Sequence, residues 1–282
     1  MRSLGRWLRS AVGLIALAVA ASASAEVKIF IETDLEGASG VYEFAQVGRG
    51  SDRGNAKHRQ ASEYLMGDLA AVVRGLRDGG ATEIIASDGH GSGAFVPHQM
   101  EPGAKYIIGD SAAKNVPILD NTFSGVVMLA FHAMMGTPDG TLHHTQSSLH
   151  ENRYWYNGVE SGEIAQTAIF AGHFGVPAIL VTGDVATCRE AKRFLGENCV
   201  TVEVKKGLSR EGAMLYPFAE TRKALYEGAK RAVAAIAKCK PYKVTLPIQV
   251  KKQWLEFDGP EQKRRLVTKE GTVPDALHLM DF

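Results

Sequence analysis

Cysteine is scarce in this chain: three residues in 282, Cys188, Cys199 and Cys239, widely spaced and without a C-x-x-C. That excludes a disulfide framework, a redox dithiol and a thiolate zinc site, and an odd count leaves at least one thiol free. Net charge is also lacking, with 32 basic against 31 acidic side chains, so there is no electrostatic footprint for nucleic acid or an anionic membrane. After residue 25 no apolar run approaches the ~20 residues that a membrane-spanning helix needs. Four catalytic signatures are missing: G-x-S-x-G, G-x-G-x-x-G, a Walker A loop and H-E-x-x-H. Their absence removes a nucleophile elbow, a dinucleotide fingerprint, a P-loop and a zincin helix. Internal repeats and low-complexity tracts are absent too.

What is present begins with an export signal. Arg2, Arg6 and Arg9 precede the apolar run Ala11–Ala21, and Ala23-Ser24-Ala25 offers a small-residue cleavage site before Glu26. Residues 1–25 therefore read as a secretory signal peptide, which places the mature protein in the periplasm or outside the cell, with no integral membrane segment after cleavage. The remaining 257 residues keep 29 of the basic and all 31 acidic side chains, net −2. This length suits one large α/β domain, or one with a small appendage.

The periodicities alternate between strand and helix. Val27–Thr33 reads as a strand, residues 59–78 as a helix with Leu65, Leu69, Val72, Val73 and Leu76 on one face, and Glu83–Ser87 as a second strand. Further strands are expected at Val126–Phe131, Arg153–Tyr156, Pro177–Thr182 and Cys199–Lys205, with helices over Gly162–Gly172 and Ala219–Ala237. Tyr242–Trp254 is β-rich, and Lys238–Pro241 reads as a linker. The expected fold is a three-layer α/β domain with a central, largely parallel sheet: a core over 26–238 and a smaller C-terminal β-containing portion, 239–282, packed on it.

Carboxylates and histidines recur where these strands end. Asp34 and Glu36 stand two apart, on one face by strand periodicity, with Gly37 letting the backbone turn beneath them. Asp88-Gly89-His90 follows the second strand, His132 ends the strand from Val126, and His143-His144 follow a turn-rich stretch. Glu163 opens a helix, where a carboxylate also favours the dipole. Singly, each suits an ordinary solvated or hydrogen-bonded role. Together they line the carboxyl edge of one sheet, where α/β proteins bind ligands, and imidazole with carboxylate oxygen is the donor set of zinc and its neighbours. Such a cluster suits a two-metal hydrolase, whether an aminopeptidase, an amidase or a phosphoesterase, and it also suits a non-catalytic metal- or peptide-binding protein. A phosphatase would bring a cationic clamp, and the stretches around Asp34, His90 and His132 carry none.

The motifs and their order resemble those of the D-aminopeptidase family, peptidase family M55. The D-x-E-G element is Asp34-Leu35-Glu36-Gly37, the D-[SG]-H element is Asp88-Gly89-His90, and the H-A element is His132-Ala133. Gly140-Thr141-Leu142-His143-His144-Thr145 fits G-x-[LM]-x-H-[ST], Gly162-Glu163 fits G-E, and Gly183-Asp184 fits G-D. The resemblance runs from about residue 27 to the C-terminus. It implies a zinc aminopeptidase acting on short peptides or amides with N-terminal D-residues. It further implies two Zn²⁺ per subunit bridged by Asp34, the other ligands being Glu36 with His132 and His90 with Glu163. The uncoordinated catalytic histidine of the family falls on His144, with His143 one residue away as the other candidate. A ring-like homo-oligomer such as a decamer is implied as well, and the export signal departs from a cytoplasmic prototype.

Overall fold

The computed structural model describes residues 26–48, 53–91, 93–109, 118–258 and 263–282, so the signal-peptide reading of residues 1–25 lies outside the described residues. A seven-stranded sheet runs in the order β3-β2-β1-β4-β7-β8-β9. Its strands are β1 (Lys28–Thr33), β2 (Glu83–Asp88), β3 (Lys105–Ile107), β4 (Gly125–Leu129), β7 (Ala178–Asp184), β8 (Val200–Ser209) and β9 (Gly212–Leu215). The first six pair in parallel, and β9 folds back antiparallel on β8. The chain first builds outward from β1 through β2 and β3, then crosses to the other side through β4, β7 and β8. The reversal between β1 and β4 is a topological switch point, where the carboxyl ends of the strands open a crevice.

Both sheet faces are covered, which is why the central strands are apolar on both sides. Helix α1 (Ala56–Asp78) starts at Asn55, whose side chain accepts the His58 N–H at 2.7 Å, a cap that satisfies one orphan donor. Its stripe Leu65, Leu69, Val72, Val73 and Leu76 is buried against Ile29 and Ile31 of β1, in one core with α4 (Phe218–Ala235). Helices α2 (Glu163–His173) and α3 (Val185–Leu195) cover the opposite face, where Phe30, Val126, Met128, Ile164 and Val181 form the second core. The result is the expected three-layer α/β domain.

A smaller antiparallel sheet runs β11-β10-β5-β6, with β5 (Arg153–Tyr156), β6 (Val159–Ser161), β10 (Ile248–Asp258) and β11 (Lys263–Val273). Val250–Gln253 pair with Arg153–Tyr156, and Tyr156, Ile248 and Val250 share a third core with Ile169 of α2. The C-terminal segment therefore completes a sheet begun by residues 153–161. Past Gln253, β10 pairs with β11, Leu255 N–H donates to His150 O at 2.8 Å, and this end of the ribbon exposes Phe257 and Leu266.

Several elements differ from the sequence expectation. The strand expected over Val126–Phe131 stops at Leu129, because Ala130 adopts φ 62° and turns the chain. Helix α1 begins three residues early at its Asn55 cap, and β10 begins at Ile248 rather than near Tyr242. Strands β3, β6, β9 and β11 and helix α3 lie outside the elements expected from the sequence; the strands are short or polar, whereas α3 does bury one face through Ala186, Cys188, Ala191 and Phe194.

Candidate metal centre

The site grows out of the loops that follow β1, β2 and β4, plus the first turn of α2. Beyond β1, Asp34 N–H still donates to Leu129 O at 2.9 Å, and Gly37 N–H donates to Ala130 O at 2.7 Å. A Cβ on Gly37 would lie 1.9 Å from Phe131 O, and one on Gly183 would lie 2.4 Å from the same oxygen. Glycine is thus required twice, because three loops touch backbone to backbone. Two buried non-glycine residues hold left-handed conformations here, Ala130 at φ 62° and Leu142 at φ 56°. Ala130 lies two residues before His132 and Leu142 directly before His143, and such strain persists only where the surroundings over-determine it.

Asp34 lies at the centre and presents a different histidine to each of its oxygens. Oδ1 is 2.8 Å from His90 Nδ1, which is also 3.2 Å from Glu36 Oε2. Oδ2 is 3.2 Å from His132 Nε2, which is 3.5 Å from Glu163 Oε1. The second nitrogen of each ring faces a backbone carbonyl: His90 Nε2 lies 2.8 Å from Val47 O, and His132 Nδ1 lies 3.0 Å from Ala133 O. A carbonyl only accepts, so those nitrogens carry protons, and the opposite nitrogen of each ring is the one turned toward carboxylate oxygens. Buried Asp34 Oδ2, Glu36 Oε2 and His132 Nε2 have no hydrogen-bond partner. Buried donors of electron pairs turned toward one another call for cations between them.

The electrostatics say the same. Burial alone would lower His90 and His132, but Glu36 and Asp34 in one case, and Glu163 and Asp34 in the other, hold both well above the ordinary histidine range. Burial would raise Asp34, yet the two histidines outweigh it and hold the carboxyl well below its usual value. Glu163 is lowered too, against burial, by His132 and His144. Positive charge is demanded at two places that share Asp34.

His144 joins the cluster and His143 does not. The His144 ring stacks on His132 with centroids 4.0 Å apart, its Nδ1 lies 2.8 Å from Leu142 O, and its Nε2 is 3.9 Å from Glu163 Oε1. Burial, then the nearby His132, keeps it below the usual histidine range. His143 instead accepts the Gly136 N–H at 3.1 Å and is half-buried. Donor atoms of His132, His144 and Glu163 lie within 4.8 Å of one another, as do those of Asp34, Glu36 and His132. The nearest pairings also differ from the expected division: His90 lies with Glu36, and His132 with Glu163.

Supporting residues went unread in the sequence. Lys205 is fully buried, and its ammonium donates to Glu36 O at 2.5 Å, Ala38 O at 3.0 Å and Val41 O at 2.6 Å, bracing the loop that carries Glu36. Burial pulls this amine down to about 8. Asp68 of α1 accepts the Ser39 N–H of the same loop at 2.8 Å. Asp88 closes the His90 loop by accepting the Ala94 and Phe95 N–H groups at 2.7 and 2.9 Å, rather than orienting an imidazole. Asp184 caps α3 and accepts the Thr141 N–H at 2.6 Å, and Glu190 accepts the Met134 N–H at 2.8 Å. A surface cavity of about 540 Å³, lined by His150, Lys252, Trp254 and Arg265 among others, lies on the ribbon and includes none of the clustered residues.

Comparison with known proteins agrees with this geometry. A D-aminopeptidase of Bacillus subtilis (strain 168) is 28% identical over 218 residues, covering 76% of this chain and 77% of that protein. The solved structure of the Zn-dependent D-aminopeptidase DppA from Bacillus subtilis, described as a self-compartmentalizing protease, superposes with a TM-score of 0.77. It shows 22% identity over 89% of this chain and 93% of that one, and so shares the fold. The family model described as D-aminopeptidase matches residues 27–266, most of the chain. This protein belongs to the D-aminopeptidase family, peptidase family M55.

Proposed function

We propose that the protein is an exported zinc aminopeptidase that removes N-terminal D-residues from short peptides or amino-acid amides. The observation that carries this reading is Asp34, whose two oxygens each face a histidine nitrogen backed by a second carboxylate. On this reading Asp34, His90 and Glu36, together with His132 and Glu163, would hold two zinc ions. When bound, the ions supply Lewis acidity at the scissile carbonyl and make water a nucleophile near neutral pH. The D-residue preference and the use of zinc are taken from the B. subtilis relatives.

His144 moves the proton. Its Nδ1–H is held by Leu142 O, which leaves the Nε2 lone pair directed at the cluster, and a depressed basicity keeps it neutral at pH 7. A neutral imidazole there can take a proton from the attacking water and return it to the leaving amine. Glu163 faces it at 3.9 Å and stabilises the imidazolium that forms in between. His143, fastened to Gly136, stays outside the reaction.

The test combines metal content with turnover. Purified protein is expected to hold two zinc ions per chain and to hydrolyse D-alanine amide or D-alanyl dipeptides faster than the L-forms, losing activity on chelation. A chain without metal, or one whose activity survives chelation, overturns the reading. His144→Ala is expected to slow turnover roughly 10²–10⁴-fold with both ions retained; loss of an ion would make His144 a ligand instead. DppA is a self-compartmentalizing protease, and we extend homo-oligomeric assembly and an N-terminus near Glu26 to this chain. Light scattering and N-terminal sequencing of the exported protein test both.

A further inference from the structure

Glu163 turns one oxygen toward two histidines: Oε1 lies 3.5 Å from His132 Nε2 and 3.9 Å from His144 Nε2. A glutamate side chain has several rotatable bonds, so something must hold that oxygen in place. The Gln146 N–H does so, donating to Oε1 at 2.6 Å. Where this N–H points is decided by an unusual turn. Gln146 stands at the centre of three residues closed by the Ser147 N–H, which donates to Thr145 O at 2.7 Å. With Gln146 at φ 63° this is the rare form of the γ-turn, strained for a residue with a Cβ. Glycine adopts such a φ readily, whereas glutamine needs a constraint. Packing does not supply one, because Gln146 is exposed.

The constraint comes from its own side chain. Gln146 Nε2 donates to Gln166 Oε1 at 2.9 Å, and Gln166 Nε2 donates to the Tyr156 hydroxyl oxygen at 2.7 Å. Gln166 and Tyr156 are each only 2% exposed. Burying an amide is costly unless its groups are bonded, and both of these bonds belong to one relay. Gln166 lies three residues beyond Glu163 on α2, so the two side chains leave the helix on one face. Tyr156 is fixed in its turn: it pairs with Val250 of β10 and shares the third core with Ile169. The buried amide thereby ties the small sheet to the strained turn that aims at Glu163.

We propose that Gln166 is a positioning residue for the metal centre: it holds the left-handed turn at Gln146, whose N–H fixes Glu163 for zinc. The inference rests on the zinc reading above. The grip on zinc then depends on an amide that acts through Gln146 rather than on the metal itself.

The test measures zinc affinity by competition with a chromophoric chelator on purified protein, a readout that does not require turnover. The parent is expected to hold two zinc ions. Gln166→Leu should bind one of them roughly 10–100-fold more weakly, the usual cost of disturbing a ligand's outer partner. Gln146→Ala should lose as much, because alanine bears the strain of the turn with nothing to hold it. Gln146→Gly also lacks the side chain, yet it should stay within about threefold of the parent, since glycine takes a positive φ unaided. In that glycine background Gln166→Leu should add no further loss, the signature of two residues acting as one unit. Were Gln166 merely packing the core, its replacement would weaken zinc equally in both backgrounds. That outcome overturns the proposal, as does parent-like zinc affinity in Gln166→Leu. If Gln166→Leu does not fold, equal losses in Gln146→Ala and Gln146→Gly, at an exposed position, overturn it instead. A parent that binds no zinc overturns the metal reading and this inference together.

Discussion

The two halves of the cluster use the same donors and are built in opposite ways. Each has one imidazole, one carboxylate of its own and one oxygen of Asp34. His90 offers Nδ1 because Val47 O takes its Nε2 proton, whereas His132 offers Nε2 because Ala133 O takes its Nδ1 proton. The ligand type is written in the sequence, but a backbone carbonyl selects the nitrogen. The surroundings differ as well. His90 rides a loop with exposed Gly89 and Gly91, and Asp88 accepts the Ala94 and Phe95 N–H groups beyond it. The His132 side chain is 1% exposed, lies under His144, and its loop is locked by backbone contacts at Gly37 and Gly183. One half is hung on a loop, and the other is set in the core.

Asp34→Asn breaks the comparison outright, since it removes the one group both halves share. Plasma emission should find both ions lost, and activity should drop by more than about 10³-fold, more than the 10–100-fold typical of perturbing a metal's outer partners. Full retention of one ion would mean that Asp34 serves a single half. Removing one histidine at a time sharpens the contrast. His90→Ala should retain the His132 ion, His132→Ala should retain the His90 ion, and a chelator titration of the parent should strip the His90 half first. Simultaneous loss of both ions at every chelator concentration would contradict the looser build of that half.

A smaller effect is expected from Lys205→Met, which leaves three buried carbonyls of the β1 loop without their donor. Loss of such charge-assisted bonds should cost about 3 kcal/mol in urea unfolding. Activity should fall with it, because a displacement near 1 Å at a reacting centre costs up to about 10²-fold. Zinc at His132 and Glu163 should stay bound. An unchanged unfolding midpoint would show that water replaces the ammonium.

Lys205 also shows where sequence reading stops. Strand β8 alternates Val202 in, Glu203 out, Val204 in, so period two sends Lys205 to solvent. The pairing with β7 instead slips between Gly183 and Asp184, which face Glu203 and Lys205. That irregularity turns Lys205 inward and leaves Leu208 outside, the phase change a bulge imposes. Asp34, Glu36, His90 and His132 were legible because each follows the end of a periodic strand, and a parallel sheet aligns such ends on one rim; Glu163 instead opens a helix just after Gly162. The choice between His143 and His144 was not settled by the residues, since it depends on Leu142 at φ 56°, and nothing in a leucine announces a left-handed turn.

His143 gives the smallest expected effect, and it lies beside the His132 half without belonging to it. Burial, then the charge of Arg210, depresses its folded basicity to about 4, against an ordinary histidine value of 6.5. Above pH 6.5 the ring is neutral in both the folded and unfolded chain, so it adds no pH dependence there. As the pH falls from 6.5 toward 4, the unfolded chain takes up the proton first, and stability is lost through that window. Because the ring is half-exposed, solvent screening should keep the loss below about 2 kcal/mol. His143→Gln cannot take up that proton, and its amide can still accept the Gly136 N–H. Urea midpoints at pH 7 should therefore match the parent, while at pH 4.5 the variant should be the more stable of the two. The clustered histidines His90, His132 and His144 are common to both proteins and cancel in the difference. Equal midpoints at the two pH values would show that the His143 ring is as free to protonate in the fold as in the unfolded chain.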